Sequence, residues 1–369
     1  MSKKVIDIAK IDPNMRVETE LALDDVKFYD VREAPFEVYG LYNYKKEPVF
    51  KRLPDEIGLN VNHGVSHLYL DTAGGRVRFS TDSQYVAIKA LVPSIYQTRT
   101  MSLISCAAFD IYVDDPVTGE SRYRKCIGPT FESTDSFEGV LTFNTRQLRY
   151  FTVCFPSYNH VDTLYIGLQQ DATVGEGMKY KDIPPIVYYG SSITQGACAC
   201  RPGNIYENII CRQLGIDYIN LGFSGNGKAE DTIVDYMCTL PMSIFVSDYD
   251  HNAPNAEYLR NTHLKMYQKI RAAHPDIPYI MLSKPDYDNL QKLEENIDRL
   301  NVVCDTYRYA YEHGDRNVYY IDGSSIFRGP YEDMCTVEGT HPNDLGFALM
   351  ADAIGATIRR TFTQKKIYY

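Results

Sequence analysis

The hydrophobic period of this chain changes once, and the change falls in the polar stretch "ATVGEGMKYKDIPP" at residues 172–185. Before it, from about residue 36 to 170, "SHLYLDT", "RVRFSTDSQYVAIKALV", "FDIYVDD", "GVLTFNT" and "TLYIGL" alternate apolar and polar residues at every second position. That period marks half-buried strands, and "DTAGG", "DDPVTGE" and "CFPSYNH" punctuate them as turns. Many short strands joined by tight turns predict an antiparallel sandwich of jelly-roll type, with a barrel as the competing arrangement. After the change, apolar runs such as "IVYYG", "IDYINLG", "MSIFVSD", "IPYIMLSKP" and "NVYYID" alternate with helical periods. The helices expected are "YENIICRQLG", "DTIVDYMCTL", "AEYLRNTHLKMYQKIRAAHP", "LQKLEENIDRLNVVCDTYRYAYEHG" and "LGFALMADAIGATIRRTF". Strands alternating with helices require a parallel sheet covered on both faces. The expected fold class is α/β. A doubly wound, flavodoxin-like three-layer domain at 186–369 follows a linker at 176–185 and a β-sandwich domain at 1–175. A length of 369 residues suits two such cores better than one.

Charge excludes several classes of function. The formal net charge is −10 and Lys and Arg are scattered, so no basic field exists for nucleic acid or an anionic membrane. No run approaches the length of an apolar membrane span, and "MSKKVIDIAKIDPN" carries charges where a signal peptide would be apolar. A cytoplasmic enzyme is expected. The nine cysteines are odd in number and spread through both halves, which fits free thiols better than a disulfide framework. Cys198, Cys200 and Cys211 lack the matching His/Cys pair of a zinc site, and neither metal nor cofactor is expected. Tyr, at 31 residues with no Trp, suits strands and also sugar contacts.

In open α/β sheets ligands bind outside the carboxyl ends of the strands. The polar clusters "GSSITQG" (190–196), "GFSGNGK" (222–228), "SDYDHNAPN" (247–255) and "VEGTHPNDLG" (337–346) all fall there. Gly222, Gly227 and Lys228 satisfy the spacing of a phosphate loop, but Ala229 stands where that loop needs a hydroxyl for magnesium, and the loop follows the second strand rather than the first.

Taken together and in this order, the four clusters resemble the blocks of the SGNH hydrolases, also called the GDSL esterase/lipase family, over roughly residues 184–366. "GSSIT" is similar to the first block, with Ser191 in place of its Asp. "NLGFSG" is similar to the second, "DHN" to the third with Asp250 in place of its Gly, and "EGTHP" to the last with Glu338 in place of its Asp. The resemblance implies Ser192 as nucleophile, His341 as its base and Glu338 in the acidic position. It further implies an oxyanion hole made of the Ser192 N–H, the Gly225 N–H and the Asn252 amide. A serine attacks an acyl carbon only if a base takes its proton, and the oxyanion that forms needs donors fixed in advance.

Each residue also has a plainer reading. Ser192 alone would be a helix cap, and His341 beside Pro342 a turn residue. Asp248, Asp250 and His251 read as solvated loop residues rather than metal ligands. His263 and His274 read as surface or packing residues on a helix, while nothing marks His63, His67 or His160 as functional. The joint reading is a soluble serine esterase acting on a small acyl ester, acetyl on a carbohydrate or oligosaccharide foremost, as do bacterial carbohydrate esterases of similar two-part layout. A non-catalytic carbohydrate-binding protein with a relic hydrolase domain is the alternative. The sandwich suits glycan binding, an active-site wall or a homo-oligomer contact equally.

Overall fold

The computed structural model describes residues 23–288 and 293–364. Residues 290–292, included in one expected helix, lie outside the described residues, as do residues 1–22. The N-terminal part contains β1 (Val26–Asp30), β2 (Glu37–Tyr39), α1 (Asp55–Gly58), α2 (Val65–Leu68), β3 (Arg76–Thr81), β4 (Tyr85–Leu91), α3 (Leu103–Ala107), β5 (Phe109–Asp114), β6 (Ser121–Ile127), β7 (Ser136–Thr142), β8 (Arg149–Cys154), β9 (Thr163–Gln169) and β10 (Val174–Glu176). One sheet has the order β1-β9-β4-β7 and the other β10-β3-β8-β5-β6, with β2 beside β3. All their pairings are antiparallel. Val86, Ile88 and Ile166 from the first sheet meet Phe79, Ile111 and Phe151 from the second in one buried core. This is the expected sandwich, built by period-two side chains.

The C-terminal part contains β11 (Ile186–Gly190), α4 (Ser192–Gln195), α5 (Tyr206–Leu214), β12 (Tyr218–Gly222), α6 (Asp231–Thr239), β13 (Ile244–Asp248), α7 (Ala256–Ala273), β14 (Tyr279–Leu282), α8 (Leu293–Glu312), β15 (Val318–Ile321) and α9 (Asp344–Gln364). The strands form one parallel sheet in the order β12-β11-β13-β14-β15. This is a doubly wound order, whose chain reversal beside the first strand opens a ligand crevice at the carboxyl edge. Both faces are buried. Val187, Tyr189, Phe245 and Tyr279 pack with α6, α7 and α8, while Ile186, Tyr188, Ile244 and Val246 pack with α5 and α9. Burial on both faces is why these strands read as continuous apolar runs. Among the described residues no helix is long and apolar enough to cross a membrane.

One expected strand is a helical turn. "SHLYLDT" begins inside α2, where Asn62 Oδ1 accepts the Val65 N–H at 2.9 Å and starts the turn. Val65 and Tyr69, four positions apart, then share a face. Together with Leu53 they join the core under the parallel sheet, not that of the sandwich. The alternation in this segment was therefore a coincidence of composition. Strand β6 escapes the sequence reading for the opposite reason: Arg122, Tyr123, Arg124 and Lys125 are all exposed along the sheet edge, so it has no apolar face to show a period.

Candidate active site

Strand β11 ends at Gly190, where a Cβ would lie 2.1 Å from Thr194 Oγ1 and 2.4 Å from the Asp248 carbonyl. Only glycine lets the chain turn so sharply there. Ser191 is extended, and its Oγ accepts the Ile193 N–H at 3.1 Å, capping the four-residue α4. The plain cap reading thus belongs to Ser191 and releases Ser192. The Ser192 Oγ lies 2.8 Å from His341 Nε2, although 149 positions separate the two residues.

His341 arrives on the loop between β15 and α9. Val337 donates its N–H to the His341 carbonyl at 2.9 Å and closes that loop. Glu338 Oε1 accepts the His341 backbone N–H at 2.8 Å and lies 2.8 Å from Nδ1. A carboxylate can only accept, so Nδ1 carries the proton and Nε2 presents its lone pair to the Ser192 hydroxyl. The longer Glu side chain therefore reaches the ring from the acidic position. Cys198 is a near neighbour, with its ligand atom and those of Glu338 and His341 all within 4.8 Å of one another. Burial raises its thiol above the ordinary value, which keeps it protonated beside the carboxylate.

The loop after β12 settles the phosphate question. A Cβ at Gly222 would meet the Gln195 N at 2.2 Å, and one at Gly227 the Gly190 carbonyl oxygen at 2.2 Å. These glycines let the loop lie against the turn that carries Ser192. Gly225 differs: its φ is +66° and a Cβ there would meet nothing. The N–H groups of Gly222, Phe223, Ser224, Asn226 and Gly227 all find acceptors within the protein. Among the described residues, Gly225 is the member of this loop whose N–H does not. Asn252 Oδ1 takes the Gly227 N–H at 3.4 Å, which leaves the amide nitrogen of Asn252 to the cavity it lines. That cavity, about 420 Å³, is lined by Ser192, Ser224, Gly225, His251, Asn252, Lys284, Asn296 and His341, among others. All the site residues expected from the sequence thus meet at one place, Glu338 through His341.

Asp248, Asp250 and His251 are not solvated loop residues. Asp248 and Asp250 are 0% and 3% exposed. They lie under the nucleophile turn because β13 ends directly beside β11, Asp248 pairing with Gly190. Burial alone would raise Asp250, but hydrogen bonds from His251 and from the Lys284 N–H hold it below the usual carboxylate range. His251 Nε2 in turn lies 2.8 Å from Ser191 Oγ. Two departures from the family blocks, Ser191 and Asp250, are therefore joined through His251, for which the sequence suggested only a solvated loop position. Burial pushes Asp248 up to about 6. His263, 2% exposed, is a packing residue whose burial pulls it down to about 4. All nine cysteines are free, and Cys198, Cys200 and Cys211 do not converge.

Behind this turn, Glu207 is fully buried and accepts from Asn220 Nδ2 at 3.3 Å. Burial raises it well above its ordinary 4.5. The folded state then holds its proton more tightly than the unfolded chain does. The stability it contributes is complete below the ordinary value and is lost as pH rises toward the raised one. The glutamine of Glu207→Gln does not titrate, so the variant's stability relative to wild type should climb with pH, by up to about 1.4 kcal/mol per pH unit within that window, and its melting temperature with it. Thermal unfolding in a buffer series checks this, and a pH-independent difference would count against a buried neutral carboxyl.

The α/β frame, with these groups at its carboxyl edge, is that of a hydrolase of the esterase class. Comparison with known proteins gives the family. Residues 184–359 match the GDSL-like lipase/acylhydrolase family, and residues 26–174 match the N-terminal region of SGNH hydrolase-type esterases. The chain is an SGNH (GDSL-type) hydrolase with that family's N-terminal β domain. No curated protein sequence matches it. A crystal structure from Bacteroides ovatus ATCC 8483, described as a GDSL-like lipase, is 26% identical with a TM-score of 0.82, covering 92% of this chain and 98% of that one. The salicylyl-acyltransferase SsfX3 from a tetracycline biosynthetic pathway is 19% identical with a TM-score of 0.73, covering 90% and 96%. A family two carbohydrate esterase from Clostridium thermocellum, solved with cellohexaose, is 13% identical with a TM-score of 0.62, covering 89% and 99%.

Proposed function

We propose that this chain is a serine carboxylic ester hydrolase that works through an acyl-enzyme and removes acetyl groups from carbohydrate or oligosaccharide. The observation that carries the proposal is the 2.8 Å contact between Ser192 Oγ and His341 Nε2, with Glu338 on the other ring nitrogen. His341 takes the hydroxyl proton as Ser192 attacks the acyl carbon, and Glu338 stabilises the imidazolium. The oxyanion of the tetrahedral intermediate is met by the N–H groups of Ser192 and Gly225 and by the Asn252 amide. His341 then gives its proton to the departing sugar oxygen, and a water repeats the sequence to free the acid and Ser192.

The small cavity and its polar lining, with Lys284, Asn296 and His251 around the serine, suit a short acyl group on a hydroxylated leaving group better than a lipid chain. The resemblance in fold to a carbohydrate esterase solved with cellohexaose supports the same substrate class. The relic reading finds less support, since each departure from the family blocks has a partner: Ser191 caps α4, Asp250 holds His251 and Glu338 reaches His341. A panel of acetylated mono- and oligosaccharides, read by acetate release, tests the proposal. Glycan binding without acetate release from any of them would favour the relic.

A further inference from the structure

The N-terminal domain reaches the catalytic loops with polar side chains. Arg52 donates to the Gly222 carbonyl at 2.5 Å from Nη1 and stacks on the Phe223 ring at 4.6 Å. Asn62 Nδ2 donates to the Asn226 carbonyl at 3.2 Å, and the Tyr158 hydroxyl to the Ser192 carbonyl at 3.2 Å. The most consequential contact runs through Gln195, the last residue of α4 and fully buried. Its Nε2 donates to Asp71 Oδ2 at 2.8 Å and to the Ser157 carbonyl at 3.1 Å. Its Oε1 accepts the Ser224 N–H at 2.9 Å.

Two acceptors on one side of an amide decide which way it faces. With Asp71 and Ser157 taking both Nε2 hydrogens, Oε1 has to face Ser224. The Ser224 N–H is thereby drawn onto Gln195, and the next amide along the loop, that of Gly225, is left without an internal acceptor beside Ser192. We infer that Asp71, in the N-terminal domain, is a positioning residue for the oxyanion loop and acts through Gln195, an inference that rests on the esterase reading above. Without Asp71, Gln195 keeps one acceptor for two donors and can turn its NH2 toward the Ser224 N–H, which would push the loop away. Burial pushes Asp71 up to about 7 against the pull of Arg52, yet Oδ2 can accept from Gln195 in either protonation state. The N-terminal domain therefore completes the catalytic apparatus rather than standing beside it.

The test measures kcat and KM for p-nitrophenyl acetate per Ser192 site titrated with a fluorophosphonate, so that misfolded protein is not counted. Asp71→Ala is expected to lower kcat by about 10²-fold, the typical cost of misplacing a catalytic group by an ångström, while KM stays unchanged because the oxyanion forms only after binding. Asp71→Asn keeps an acceptor for Gln195 Nε2 and should restore most of the loss, which a purely structural role would not predict. If Asp71→Ala does not fold, Gln195→Met carries the test with the same expectation. Wild-type kcat per titrated site in either variant would overturn the inference. A wild-type enzyme that neither labels at Ser192 nor turns over would instead sink the esterase reading, and this inference with it.

Discussion

Replacing Ser192 with alanine is expected to lower kcat for p-nitrophenyl acetate by about 10⁶-fold, the loss seen when the nucleophile of a comparable triad is removed. The substitution deletes one oxygen from a 6% exposed side chain at the start of a four-residue helix. The cap is made by Ser191, so α4 and the loop around it should persist and the melting temperature should barely move. Loss of activity would then report chemistry and not folding. The same variant should lose its fluorophosphonate adduct, which in wild type is expected as a single phosphonylated serine in the peptide holding residue 192. Retention of turnover would show that another hydroxyl makes the attack. Ser191 would be the nearest candidate, since it makes the equivalent contact with His251 at 2.8 Å. Labelling at residue 191 would identify that case directly.

The catalytic edge was legible because polar residues stand out where an apolar strand ends. "IVYYG" and "IDYINLG" announce buried strands, and the Ser, Gly and Asn residues that follow them break the apolar run at the edge where a doubly wound sheet binds its ligand. Ser192, Gly225, Asn252 and His341 could each be placed at a strand end without coordinates, and a doubly wound sheet brings such ends together. What supports them could not be read in this way. Asp71 meets Gln195 across 124 positions, and no local period signals a contact at that distance. Arg52 lies among turn-forming residues and looks solvent-facing, yet it is 2% exposed because its donors are spent on carbonyls of two separate segments. The polar run at 248–251 looked solvated for a similar reason: hydrophilic composition is the same whether a carboxylate meets water or a histidine. The misread turn at 65–68 shows the same limit, since its partner surface belongs to the other half of the chain.

Asn252→Ala should cost about 10²–10³-fold in kcat with little change in KM, the usual effect of losing one oxyanion donor. Its Oδ1 accepts the Gly227 N–H at 3.4 Å, so a structural loss has to be considered first. That N–H also donates to the Phe223 carbonyl at 3.0 Å, and it keeps this partner after the side chain is removed. The residue is not deeply buried and its backbone N–H is held by the Tyr249 carbonyl at 2.9 Å, so the turn survives truncation. The activity lost should therefore be that of the Nδ2 donor alone. Asn252→Asp sharpens the argument. It preserves the shape and the acceptor for Gly227 but places a carboxylate where negative charge develops, so kcat should fall at least as far as in the alanine variant. If both variants turned over p-nitrophenyl acetate at the wild-type rate, the oxyanion would be met elsewhere, and the amides of Ser192 and Gly225 would have to stabilise it unaided.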